Sequence, residues 1–300
     1  MMVRDSRTRR HRFEGPDMQK RNRTQTRAVM ENRARQGRGR GEGVGYTPWL
    51  FVHDVASRGR SSRIASGGRV IHTLSDWETA AYRDFQWDPA VEDIQEQYPL
   101  PIEDTLRIAA EMRISHPADG RPREPIVVTS DLVVTRREDG KAVRLARAIK
   151  EKSAIDLGAA RNRRERVKIG RTLQKLELER RYWAERGVDW FLLTDQHLSK
   201  VRKVNIEFML GVRPDPDRPT GHWRTACGIV HEAIAGGGRR TLDAIARGLD
   251  ADGTLARRDF PTCVRLLCAR RALAFDMDRK FELSRPASDF VVAATNSEAA

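Results

Sequence analysis

Two carboxylates and a lysine, far apart along the chain, carry the chemistry this sequence offers. Glu78 closes the tetrapeptide Ser75-Asp76-Trp77-Glu78 at the start of a helix-like stretch. Asp131 stands in the apolar run Ile126 to Val134, and Lys150 follows the alternating stretch Val143 to Ile149. A carboxylate on one strand, a lysine on the next and a second carboxylate from an upstream helix make an apparatus for hydrolysing a phosphodiester. That reaction needs a water activated near neutral pH and positive charge against the scissile phosphate. Mg²⁺ supplies both when one or two carboxylates hold it and leave other positions open. Glu78 and Asp131 are therefore the candidate metal ligands, with Mn²⁺ expected to substitute for Mg²⁺. Lys150 is the group that orients the water or steadies charge developing on the phosphate.

Each of the three also has a plainer role open to it. Ser75-x-x-Glu78 is a capping box, in which the glutamate simply satisfies the helix N-terminus. Asp131 could be a solvent-facing edge residue, and Lys150 a strand-end lysine reaching water along its apolar stem. What favours the chemical reading of Asp131 is cost, since a carboxylate amid apolar residues is expensive without a partner.

The elements that must position these groups follow from local pattern. Residues 75–87 read as a helix with Ser75 as N-cap. Val91 to Tyr98, Leu106 to Ile114, Ile126 to Val134 and Val143 to Ile149 read as strands, separated by Pro/Gly-rich turns. Arg171 to Arg186 reads as a helix ending at Gly187; Val188 to Leu193 as a buried strand; and Asp195 as the start of another helix. This is an α/β pattern with a mixed sheet over residues 47–199. After the linker-like Arg213 to Pro219, three helical stretches (226–234, 241–249 and 260–272) precede a hairpin over 273–283 turning at Asp278-Arg279. Three helices and a hairpin are the pattern of a winged helix-turn-helix, assigned to residues 200–300.

Charge names the class of partner. The chain of 300 residues carries a net charge of +14. Such a field attracts polyanions, DNA first. Residues 1–46 are almost all polar, and the first fifty hold thirteen Lys and Arg against five Asp and Glu. They are expected to form a flexible basic arm. A second cluster, Arg161, Arg163, Arg164, Arg166, Lys168 and Arg171, is either a phosphate-contacting segment or a solvated basic face. No apolar run approaches the roughly 20 residues of a membrane span. Cys227, Cys263 and Cys268 form no metal-binding spacing, and the histidines no HxH or HExxH. The cysteines are expected to be reduced and buried, in a bacterial cytoplasmic protein working at the nucleoid.

Several blocks together resemble one family. Ser75-Asp76-Trp77-Glu78, Trp87-Asp88-Pro89, Asp93-Ile94-Gln95-Glu96-Gln97-Tyr98-Pro99-Leu100, Ser130-Asp131-Leu132-Val133 and Leu176-Glu177-Leu178-Glu179-Arg180-Arg181-Tyr182-Trp183 are similar to the TnsA transposon endonucleases. The resemblance covers about residues 70–210, with its motifs in collinear order. It implies a restriction-endonuclease-like catalytic core followed by a helix-turn-helix domain. Glu78, Asp131 and Lys150 fall at that family's helix carboxylate, strand aspartate and lysine. The resemblance also implies 5′ strand cuts at transposon ends, a TnsB transposase that makes the 3′ cuts, and an AAA+ ATPase, TnsC, as regulator. One position departs: such nucleases place Glu or Gln two residues before the lysine, and here that residue is Ala148. Two functions are therefore carried forward. One is a metal-dependent nuclease; the other is a DNA-binding and recruitment subunit that does not cut. A transcription regulator built on the C-terminal helices would leave the first two hundred residues unexplained.

Overall fold

The computed structural model describes residues 25–55, 61–119, 123–219 and 221–293. Helix α1 (Arg27–Arg35) comes first, then the hairpin β1 (Ser62–Ser66) and β2 (Arg69–Thr73). Helix α2 (Asp76–Trp87), strand β3 (Val91–Pro99) and helix α3 (Ile102–Glu111) follow. After the short ribbon β4 (Ala118–Asp119) and β5 (Glu124–Pro125) come the two long strands β6 (Thr129–Glu138) and β7 (Lys141–Ile149). Helix α4 (Arg163–Ala184) then crosses over to strand β8 (Asp189–Leu193), and helix α5 (Lys200–Leu210) ends this part of the chain.

The central sheet has the order β3–β6–β7–β8. Its first two pairings are antiparallel and the last is parallel, because α4 returns the chain to the same end of the sheet before β8 begins. Alternation along β6 and β7 sends side chains to two faces. Leu132, Val134, Leu145 and Ile149 pack with Ala80, Ala81 and Tyr82 of α2 on one face. Val133 and Ala146 pack with Ile108 of α3 and Leu178, Tyr182 and Trp183 of α4 on the other. A mixed sheet between two helical layers fits the restriction-endonuclease-like core expected from the sequence.

Helices α6 (His222–Ala235), α7 (Leu242–Ala251) and α8 (Phe260–Ala269), with the antiparallel ribbon β9 (Leu273–Phe275) and β10 (Phe290–Val292), surround a separate core that includes Val230, Ile245 and Phe260. The three cysteines lie here, buried and free of disulfides. Helix α5 packs on both α2 and α8 and so joins the two cores.

Several elements differ from the sequence expectation. The stretch expected as a strand over 106–114 lies mostly in helix α3. Thr105, Ile108 and Ala109 are its buried residues, at helical rather than alternating spacing, and Glu103 and Asp104 occupy its first turn. Helix α4 begins eight residues earlier than expected, at Arg163: Asn162 caps it by accepting the Glu165 amide at 2.9 Å, and Glu165 accepts the Arg161 amide at 2.8 Å. Asp195 lies in a turn, in which His197 Nδ1 accepts the Thr194 amide at 3.0 Å, and α5 starts only after its own cap, Ser199. Strand β8 lies at the sheet edge and leaves Phe191 exposed. In the C-terminal unit Phe281 packs into the core, so β9 pairs with Phe290–Val292 instead of the expected partner before residue 284.

The expected arm also differs. Residues 25–46 are ordered: α1 is capped by Thr26, and Arg33 and Arg38 are buried against Asp54 at 3.6 and 2.5 Å. Two paired cations let a polar segment dock where apolar burial could not. The rest of that arm, residues 1–24, lies outside the described residues.

Candidate active site

Asp131 sits near the start of β6, and Lys150 immediately follows β7. Asp131 Oδ2 accepts the Lys150 ammonium at 2.8 Å and the Ile149 amide at 2.7 Å. Lys150 Nζ also donates to the Ile149 carbonyl at 2.7 Å, and its own amide to Leu193 O at 3.0 Å, which ties the β7 end to β8. The sequence-predicted strand pair is thus in direct contact. Lys150 keeps 34 % of its side chain exposed. Burial lowers its proton affinity, but Asp131 and Glu78 outweigh that and hold it above the ordinary lysine value.

Glu78 comes from the opposite helical layer, in the first turn of α2, and is 6 % exposed. Both sequence readings of it hold a part of the geometry. Ser75 Oγ accepts the Glu78 amide at 3.1 Å and donates to Glu78 Oε1 at 3.0 Å. Glu78 Oε2 accepts the Leu74 amide at 2.8 Å and Gln97 Nε2 at 3.1 Å. Even so, burial and the nearby Asp131 charge push its carboxyl up to about 7, while Lys150 pulls the other way. The capping box therefore places the carboxylate within the electrostatic reach of Asp131 and Lys150.

Two further residues belong to this site. Glu179 projects from α4, 5 % exposed, and burial followed by Asp131 pushes its carboxyl up to about 7 as well. Its Oε1 has no hydrogen-bond partner among the described residues. One residue away from Asp131, Ser130 Oγ accepts Trp183 Nε1 at 2.8 Å, which fixes α4 against β6. The signal for Glu179 is present in the sequence: Leu176, Glu179 and Trp183 fall at i, i+3 and i+7 on a buried stripe, where a charge stands out. Gln97 is the second. Register pairs Glu96 with Leu132 and Tyr98 with Ser130, so Gln97 lies across from Asp131. Its φ of 49° is left-handed, unusual for a residue with a side chain.

A cavity of about 260 Å³ opens beside Asp131, Lys150 and Glu179, with Lys175, Thr172 and Gln25 also in its wall; Glu78 and Gln97 lie outside that wall. Ala148, the sequence departure, is buried, and the β6–β7 register continued by one residue sets it beside Asp131. It contributes no donor atom where a Glu or Gln would. Among the described residues no three His, Cys, Asp or Glu side chains are arranged as a ready metal cage. What fits a hard divalent cation here is the donor chemistry: Asp131 and Glu179 on one cavity wall, and two glutamates, Glu78 and Glu179, whose carboxyls burial and then the Asp131 charge drive toward neutrality. His116, His197, His222 and His231 are engaged elsewhere.

A family model described as the TnsA-like endonuclease N-terminal domain matches residues 88–195, a span that contains Asp131, Lys150 and Glu179. The Escherichia coli protein named Transposon Tn7 transposition protein TnsA is 38 % identical over 200 residues, which cover 66 % of this chain and 68 % of that protein. No described helix is long and apolar enough to cross a membrane.

Proposed function

We propose, from the premise that this chain belongs to the TnsA family of transposon endonucleases, that it is a Mg²⁺-dependent DNA endonuclease making the 5′ strand cuts at transposon ends. The observation that carries the reading is the Asp131–Lys150 pair at the strand ends, with a buried glutamate delivered to it from each helical layer. Asp131 and Glu78 would hold the metal, with Glu179 beside them. Bound there, Mg²⁺ supplies charge to the scissile phosphate and acidifies a coordinated water.

The chain's own residues do the rest. Because Lys150 stays protonated, it acts as a hydrogen-bond donor and a charge, not as a base. Its ammonium orients the attacking water and steadies the negative charge that builds on the phosphate. Glu179, on the cavity wall, accepts a hydrogen bond from that water and then its proton. Water attacks phosphorus in line: a new P–O bond forms, the bond to the leaving oxygen breaks, and the proton passes to the carboxylate. Ser75 and Gln97 hold Glu78 in place throughout.

By the same family reading, a TnsB transposase makes the 3′ cuts, a TnsC ATPase binds the C-terminal region, and α6–α8 with the β9–β10 ribbon act as a winged helix-turn-helix. Ala148 supports the alternative of a DNA-binding recruitment subunit without cleavage, since it withdraws one donor from the expected shell. The deciding experiment is strand-specific cleavage of end-labelled transposon DNA with TnsB, TnsC and Mg²⁺ present. Asp131→Ala should abolish 5′ nicking while binding to TnsC persists. Undiminished nicking by that variant rules out the assigned site, and no Mn²⁺ binding by the wild type favours the alternative.

A further inference from the structure

We infer that one exposed face of α4 is a docking surface for the DNA sugar–phosphate backbone, with Arg164, Lys168 and Arg171 as its cations. The inference takes its substrate class from the nuclease reading above and adds the path by which the strand approaches the cavity. Arg164, Lys168, Arg171 and Lys175 are spaced by four, three and four residues. On a helix that spacing stacks them on one face over about 16 Å. All four are exposed. The face then turns inward: Leu178, Glu179 and Tyr182 continue it and are buried against the sheet beside Asp131. The stripe therefore leads directly into the candidate active site.

The cations of this face have no described counter-ion, unlike those farther along the same helix. Farther along α4, Arg180 and Arg181 both pair with Glu177, at 2.7 and 2.8 Å. Arg107, Arg137 and Arg186 are likewise paired on the surface. Arg164 and Lys168 pair with no described carboxylate, and Arg171 donates only to the neutral Gln174, at 3.0 Å. The acid at i−3 from Lys168, Glu165, accepts the Arg161 amide at the helix start instead of pairing with the face.

A second observation points the same way. A cavity of about 230 Å³, lined by Arg123, Arg171, Gln174 and Lys175, shares Ile126 and Lys175 with the wall of the catalytic cavity. Cations thus continue from the site into a groove and onto the helix. Over about 16 Å of axis, one strand of B-form DNA presents about five phosphates at 3.4 Å each. Four cations match that density of charge.

Salt-dependent binding by the full chain tests the surface without requiring cleavage. The probe is a fluorescein-labelled duplex of mixed sequence, several helical turns long, read by anisotropy in EDTA between about 50 and 200 mM NaCl. Each of Arg164→Gln, Lys168→Gln and Arg171→Gln should reduce the slope of log K against log salt by about 0.9, and the triple variant by about 2.7. The charge-retaining triple variant R164K/K168R/R171K should keep the wild-type slope. Lys141→Gln, an exposed change at the far end of β7 from Lys150, should also leave it unchanged. A wild-type slope in the triple glutamine variant overturns the inference. Failure of the nuclease reading is separate: if the wild type never nicks DNA but the slope still falls, the surface stands and the cleavage assignment goes.

Discussion

Lys150 Nζ lies 2.8 Å from Asp131 Oδ2, and the same oxygen also takes the Ile149 amide at 2.7 Å. One carboxylate oxygen is thus committed to holding the lysine and the strand end, and Oδ1 takes no hydrogen bond from the described residues. Lys150→Ala should reduce 5′ nicking by about 10²–10³-fold yet retain Mn²⁺ binding, because it removes a cation that competes with the metal. Asp131→Ala should lose both. Calorimetric Mn²⁺ titration alongside the cleavage assay distinguishes them, and equal metal loss in the two variants would contradict the division of roles.

Glu78 and Glu179 make a pH prediction whose sign is fixed by their raised carboxyls, both at about 7. An exposed glutamate in the unfolded chain ionises near 4.3. Between those values the folded protein binds more protons than the unfolded one, so these two groups favour folding at low pH and lose that contribution as pH rises to about 7. In EDTA, Glu179→Gln should therefore gain stability relative to wild type on going from pH 5 to 7.5, by roughly 3–6 °C in melting temperature. A wild-type-minus-variant difference that stays flat across this window sinks the prediction.

Gln97 combines a left-handed backbone with two side-chain contacts, donating to Glu78 Oε2 and accepting from Thr129 Oγ1, each at 3.1 Å. Substitution separates the two. Gln97→Ala loses the amide and keeps the backbone cost; Gln97→Gly loses the amide and removes that cost. Urea melts should place the glycine variant about 1 kcal/mol above the alanine variant, with both equally impaired in nicking because Glu78 has lost a donor. An alanine variant as stable as the glycine one would show that φ is not strained.

Arg271 reaches back from the C-terminal unit: its guanidinium carbon stands 3.4 Å from the Trp87 ring centre, and it donates to the Trp87 carbonyl. Arg271→Ala should weaken the junction by about 1–2 kcal/mol. Differential scanning calorimetry should then resolve an earlier transition for the C-terminal unit. A single transition, unchanged in temperature, would mean that the contact contributes nothing to holding the two cores together.

What could be read from the sequence depended on how local each cause was. The cap of α2 is local, so Ser75 and Glu78 were legible; so were β3 and β7, whose turns and alternation are their own evidence. Glu179 shows in the sequence as a charge on the stripe of Leu176 and Trp183, but in a helix crowded with Glu and Arg the tertiary packing is what sets it apart. Helix α3 reads as a strand from its apolar content alone, and only the helical spacing of Thr105, Ile108 and Ala109 distinguishes it. The partner of β9 lies 14 residues beyond its end, too far for hairpin rules to find it. The role of Gln97 is a matter of register across the sheet, which no single segment encodes.

Helix α2 carries Glu78 in its first turn and Trp87 as its last residue, with the indole packed against the C-terminal core. A helix is stiff along its axis, and the nine-residue step from Glu78 to Trp87 spans only about 13 Å. Any body that tugs on the C-terminal half thereby has a lever whose other arm ends at a carboxylate that feels the Asp131 and Lys150 charges. Severing the chain behind α2 would remove that lever, so the two halves are poor candidates for use as separate tools.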